Sequence, residues 1–328
     1  MLTGKQLILA TKPFAKEIRW KSWYYTISSF LLLIATLIGS FAFPHIIGRI
    51  VCSIFGAVML ARFFIIFHDY QHHTILSKSP LANAIFTTFG IYMLSPPSIW
   101  KRSHDFHHNH NAKLYSASIG SYPIMTKQKF LEASPEEKRY YLSVRSPLNM
   151  FLGYFTTFTY GMCIRSFINN PRKHWDSLLV LIFHYTVAIF LFVKFGWLTW
   201  FLTYFLPFFL SHMLGSYLFY AQHNFPEVIF RNQEDWNYAD AALLSSSYMK
   251  MNRFMQWATA NIGFHHIHHL NARIPFYRLP EAMEQIKELQ NPFVTTLKLS
   301  DIRKCLRLKV WDPELNRMVG FAEMGYKK

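Results

Sequence analysis

Apolar residues run along this chain in long unbroken stretches, with neither a three-four nor an alternating rhythm. Two such runs open the sequence, 25–43 and 46–67, divided only by Pro44-His45. Two more come much later, 175–193 and 197–220, divided by Lys194-Phe195-Gly196. Each approaches the ~20 helical residues that cross ~30 Å of hydrocarbon. The connections are very short, so each pair predicts an antiparallel hairpin, and together they predict four transmembrane helices. Two further apolar runs lie between the pairs, at 81–100 and 148–163. Run 81–100 carries no charge, so hydropathy alone permits a fifth crossing. It contains Gly90, ends in Ser95-Pro96-Pro97 and has histidine clusters on both flanks. A crossing would separate those clusters by the membrane, so we read it as re-entrant or interfacial. Near the C-terminus, PEAMEQIKEL at 280–289 predicts a helix.

Composition strengthens the membrane reading. The chain holds 32 Phe, 18 Tyr and 9 Trp, and Trp and Tyr favour lipid–water interfaces. Its formal net charge is +16. In a soluble protein that excess would raise nucleic acid as a partner. Here the basic residues lie between apolar runs, so lipid headgroups and membrane orientation account for them and no nucleic acid is expected. Lys5, Lys12, Lys16, Arg19 and Lys21, with a basic middle and tail, place both termini and the central loop in the cytoplasm by the positive-inside bias. The expected architecture is an all-α, multi-pass integral membrane protein of one domain over 1–328, with 1–24, 68–174 and 221–328 cytosolic or interfacial. The first 24 residues lack an apolar segment followed by a small-residue cleavage site, so no secretory signal is expected. Cys52, Cys163 and Cys305 are far apart, which supports neither a disulfide framework nor a thiolate metal site.

Of 16 histidines, 11 fall in three clusters. HDYQHH carries His68, His72 and His73; HDFHHNH carries His104, His107, His108 and His110; HHIHH carries His265, His266, His268 and His269. Helical residues three and four apart share a face, so His104/His107/His108 and His265/His268/His269 each form a triad. His68 and His72 also share a face, while His73 joins them only if the helix ends or bends. One HxxHH alone on a cytosolic helix more often faces solvent than forms a ligand set. Three clusters, all beside span ends on one expected side, point to shared metal binding. Eight or more imidazoles exceed the needs of one ion, so at least two metals are expected, and imidazole suits Fe, Cu, Zn or Ni. Asp69 and Asp105 each follow a cluster's first histidine and either orient a ligand ring or are solvated carboxylates or helix caps. His223, at the end of the fourth run, is a further candidate ligand. His184 and His212 lie within spans, where a neutral hydrogen-bonded ring is expected; His110 and His266 fall off their triads.

HDYQHH, HDFHHNHN, AQHNFPE and NIGFHHIHHLNARIPFYRLPEA, in this order around paired spans, resemble the membrane fatty-acid desaturases over about residues 20–290. The match is closest to the acyl-lipid branch that includes omega-6 (delta-12) enzymes. It is specific for the desaturase–hydroxylase superfamily and not for one double-bond position. The resemblance implies four membrane helices under a cytosolic helical cap that carries a histidine-rich dimetal site with two irons. It implies removal of two hydrogens from an acyl chain of a membrane lipid with O₂ and two external electrons. Carried over, it makes His68 and His72, with His73 the adjacent alternative, His104, His107 and His108, His223, and His265, His268 and His269 the iron ligands. The first box departs from the commoner pattern in its middle residues, which leaves His72 or His73 open. No HPGG stretch of a fused haem domain is present, so the expected electron donor is a separate ferredoxin or cytochrome b5-type carrier. Arg303, Lys304, Arg307 and Lys309 either dock that donor or contact headgroups. A fatty-acyl or carotenoid hydroxylase or ketolase on the same scaffold is the nearest alternative. A histidine-rich metal transporter is remote, because its ligands would lie within the spans.

Overall fold

The computed structural model describes residues 2–116 and 121–325. Its principal helices are α1 (Arg19–Ala42), α2 (Ile46–Gln71), α3 (Pro80–Tyr92), α4 (Pro97–His110), α5 (Trp175–Trp200), α6 (Leu206–His223), α7 (Arg253–Ala258) and α8 (His265–Leu270). Among the described residues, three helical runs are long and apolar enough to cross a membrane: α1, α2, and a third from Trp175 to His223. α1 ends where Pro44 disfavours helical backbone at Phe43, which is extended at ψ 134°. α2 then packs back along α1.

The third run is not one straight rod. Gly196 adopts φ 78° and ψ 168°, a backbone open to glycine at little cost, and the chain reverses there. The Tyr204 hydroxyl donates to the His184 carbonyl at 2.8 Å, a contact that a straight helix would stretch to about 30 Å. Beyond the reversal, wide π-type turns over Phe201–Phe205 lead into α6. α2 runs four residues past the expected end of its apolar stretch. The cause is visible in the packing: His68 and Asp69 on that last turn are buried in protein.

α3 has 13 residues and so spans about 20 Å, short of a bilayer crossing. Ser79 caps its first turn, accepting from the Ala82 N–H. Its free C-terminal carbonyls meet two histidines of the long helices. His184 Nδ1 lies 3.0 Å from the Tyr92 oxygen, and His212 Nε2 lies 3.3 Å from that of Met93. The chain then turns through Ser95-Pro96 into α4 and returns to the end of α2. The first turn of α4 is pinned by Asp176, which accepts from the Ser98 N–H at 2.8 Å and hydroxyl at 2.6 Å.

Two expectations need correction. The fold is mostly helical but not all-α: Tyr248–Lys250 pairs in parallel with Val294–Thr296, and Val310–Asp312 pairs antiparallel with Arg317–Val319. The helix expected at 280–289 stops at Gln285, because Ile286 turns extended to bury its side chain before a 3₁₀ turn over Lys287–Leu289. The main apolar core gathers Phe63, Phe67, Phe86, Phe89, Trp100 and Ile267, directly beneath the histidine-bearing helix ends.

Candidate metal centre

Nine histidines from four helix ends converge in two groups. His68, His72, His104, His108 and His268 form one, and His107, His223, His265 and His269 the other; within each, one nitrogen per ring lies within 4.8 Å of all the rest. Each HxxHH triad is divided. On α4, His104 and His108 turn to the first group and His107 to the second. On α8 the division is reversed, with His265 and His269 in the second group and His268 in the first. The groups adjoin: the His108 and His269 rings stack at 4.2 Å between centroids and 13° between planes. His73 lies outside both, exposed and at φ 57°, because α2 has ended at Gln71 and the chain turns away. His110 stacks on Phe106, and His266 Nε2 faces the Leu289 carbonyl at 3.2 Å, so both fall outside the groups.

Packing fixes the ring directions. Trp100 stacks on His104 at 4.9 Å and lies edge-on to His68 at 6.0 Å. Asp69 is buried, with Oδ1 3.4 Å from His68 Nδ1 and Oδ2 accepting the Phe276 N–H at 2.7 Å. It thereby ties the first cluster to the segment following the third. His223 Nδ1 lies 3.1 Å from the Ser245 carbonyl oxygen, which turns Nε2 toward the second group. The approach to α8 is held by a strand contact, Met249 N–H to the Gly263 carbonyl at 2.8 Å. A Cβ on Gly263 would stand 2.5 Å from the Met249 oxygen, so only glycine fits there. Asp105 requires a correction: its carboxylate is partly exposed and paired with Lys101 Nζ at 2.6 Å, one turn back on α4. It orients no histidine in this arrangement.

The nitrogens sit as ligands of a shared ion would. Nε2 of His104 lies 3.0 Å from that of His72 and 3.1 Å from that of His108, which lies 3.1 Å from that of His268. In the second group, His223 Nε2 lies 3.1 Å from His107 and 2.8 Å from His265. Two imidazoles bound at right angles through bonds of about 2.1 Å stand about 3 Å apart. A neutral imidazole has one N–H and one acceptor nitrogen, so rings meeting nitrogen to nitrogen cannot all satisfy one another. Among the described residues, the buried His269 has no hydrogen-bond partner at either ring nitrogen. Burial, reinforced by neighbouring imidazoles, holds His72, His104, His107, His108, His265, His268 and His269 well below the ordinary histidine pKa. They are neutral near pH 7, the form that binds metal. The residues therefore fit a metal site made of imidazole.

Sequence reasoning missed Arg145. This buried guanidinium donates to the Pro123 carbonyl at 3.0 Å, the Tyr220 hydroxyl at 3.3 Å and the Asn224 side-chain oxygen, holding the residue after His223. Trp100 and the Ser245 carbonyl were also unmarked. A backbone acceptor leaves no trace in side-chain spacing, and tryptophans are abundant in this chain.

The family model for fatty acid desaturases matches residues 44–297, a range that includes all nine grouped histidines. A fatty acid desaturase of Bacillus subtilis (strain 168) is 30% identical over 270 residues, covering 82% of this chain and 76% of the relative. An sn-1 oleoyl-lipid 12-desaturase of Synechocystis is 24% identical over 252 residues, 74% of this chain and 69% of the relative. A chloroplastic omega-6 fatty acid desaturase of Spinacia oleracea is 24% identical over 232 residues, 70% of this chain and 51% of that longer protein.

Proposed function

The chain belongs to the fatty acid desaturase family, and from that premise we propose an O₂-dependent acyl-lipid desaturase of the delta-12/omega-6 type with two non-haem irons. The observation that carries this reading is the pair of adjoining imidazole groups, which hold nine histidines and no carboxylate. When bound, iron supplies the oxidation: two hydrogens leave adjacent acyl carbons while O₂, two electrons and two protons become two waters. The chain's own residues do the placing. His68, His72, His104, His108 and His268 hold one ion, and His107, His223, His265 and His269 hold the other; His73 is not among them. Asp69 keeps the His68 ring turned to its group, and the Ser245 carbonyl does the same for His223. Trp100 and the apolar core beneath exclude water from the reacting carbons and keep the chain oriented. α1, α2, α5 and α6 would be four crossings in two hairpins, under a cytosolic cap formed by the remainder. Electrons would come from a separate ferredoxin or cytochrome b5-type carrier. The names of the Synechocystis and spinach relatives support the double-bond position.

Expression in a host that lacks the product, followed by mass spectrometry of its lipids, tests the reading. New double bonds in oleoyl chains are expected. Hydroxylated or ketone products without new double bonds would overturn it in favour of a hydroxylase or ketolase.

A further inference from the structure

Arg62 stands within the apolar run of α2, flanked by Leu60, Ala61 and Phe63, and is only 2% exposed. Among the described residues it joins no ion pair. Its Nε donates to Ser29 Oγ of α1 at 2.9 Å, and its Nη1 donates to the Trp257 carbonyl of α7. The guanidinium also lies 4.6 Å from the Trp257 ring and 5.9 Å from that of Tyr25. All of these partners are uncharged. Of five N–H donors, two are used by partners among the described residues, one on Nε and one on Nη1.

A guanidinium inside a membrane-spanning helix is costly without a counter-charge, and such a residue marks a function by default. The surroundings indicate what supplies that charge. Trp20 and Tyr24 on the first turns of α1, and Trp257 on α7, are exposed rings. Rings of this kind favour the headgroup level of a bilayer. Arg62 is six residues before His68, about 9 Å along the same helix. We propose that Arg62 binds the phosphate of a membrane phospholipid at the junction of α1, α2 and α7, and that this lipid is the substrate. The proposal rests on the acyl-lipid reading above and adds the headgroup class. A guanidinium matches phosphate geometry with parallel N–H donors, whereas a neutral galactolipid offers no charge to pair.

The test uses the iron-loaded full chain in nanodiscs of dioleoyl phosphatidylglycerol or of dioleoyl monogalactosyldiacylglycerol. The quantity read is the ratio of kcat/KM on the two lipids. The wild type should prefer the phospholipid, and Arg62→Gln should lower that ratio roughly tenfold, through KM. Arg62→Lys, which keeps the charge but not the parallel donors, should fall between the wild type and Arg62→Gln. Equal loss on both lipids would mean a purely structural residue and would overturn the proposal. A second arm needs no variant and no turnover: native mass spectrometry of the wild type from discs mixing the two lipids. Selective retention of phosphatidylglycerol is expected. Retention without preference, or displacement of the lipid by millimolar inorganic phosphate, would overturn the lipid-phosphate site. If the wild type desaturated neither lipid, the enzymatic reading and the substrate clause would fail, while retention would still decide the phosphate contact.

Discussion

Two sets of buried imidazoles occupy this molecule, and they differ in what their nitrogens face. His184 and His212 sit inside the long helices. His184 meets the Tyr92 carbonyl through Nδ1 and the Tyr154 hydroxyl through Nε2 at 2.8 Å, while both ring nitrogens of His212 lie near the carbonyls of Phe208 and Met93. Seven of the nine grouped histidines face one another instead, nitrogen to nitrogen at about 3 Å. Most rings of both sets are buried, with His104 and His223 half-buried, so burial does not mark a ligand. A ring whose nitrogens both meet ordinary partners closes a structural gap; nitrogens that meet only other imidazole nitrogens need a cation between them.

Substitutions should separate the two sets. The largest effect is expected from His108→Ala in the first group or His269→Ala in the second. Desaturation should fall about 10³-fold or more, with loss of metal seen by elemental analysis. Retained metal and activity would remove that ring from the site. Next, Asp69→Asn should cost about 10- to 100-fold in metal affinity or activity, as expected for a carboxylate orienting a ligand ring. Asp105→Asn, which loses only a partly exposed pair with Lys101, should match the wild type within twofold or so. The two acids occupy the same place in their motifs, so equal effects would contradict the geometry. The smallest effect belongs to His184→Leu. It leaves the Tyr92 carbonyl without its donor, a loss of about 1–3 kcal/mol, read as a lower Tm in detergent. Metal content should stay at the wild-type level, and metal loss would merge the two sets.

Much of this was legible from the sequence. The helical spacing of HxxHH placed each triad on one face, and the Lys194–Gly196 break located the reversal in the third run. The division of each triad between two groups was not legible, since one face of a short helix fits either side of a shared boundary. The Asp105 contact had a signal, Lys101 four residues earlier, but the neighbouring histidine suggested a different partner. Arg62 went unremarked in the sequence: it is one of two charges, with Arg49, in the run 46–67, and its partners Ser29 and Trp257 are distant along the chain. The strand 248–250 depends on a mate more than 40 residues away, and three residues carry no pattern of their own.

The central claim is that two groups of imidazoles hold two irons. Metal analysis of the purified wild type, with Mössbauer spectra of protein grown on ⁵⁷Fe, tests it most directly. Two irons per chain are predicted, falling in the His108→Ala and His269→Ala variants. A single zinc per chain and no iron would contradict the account.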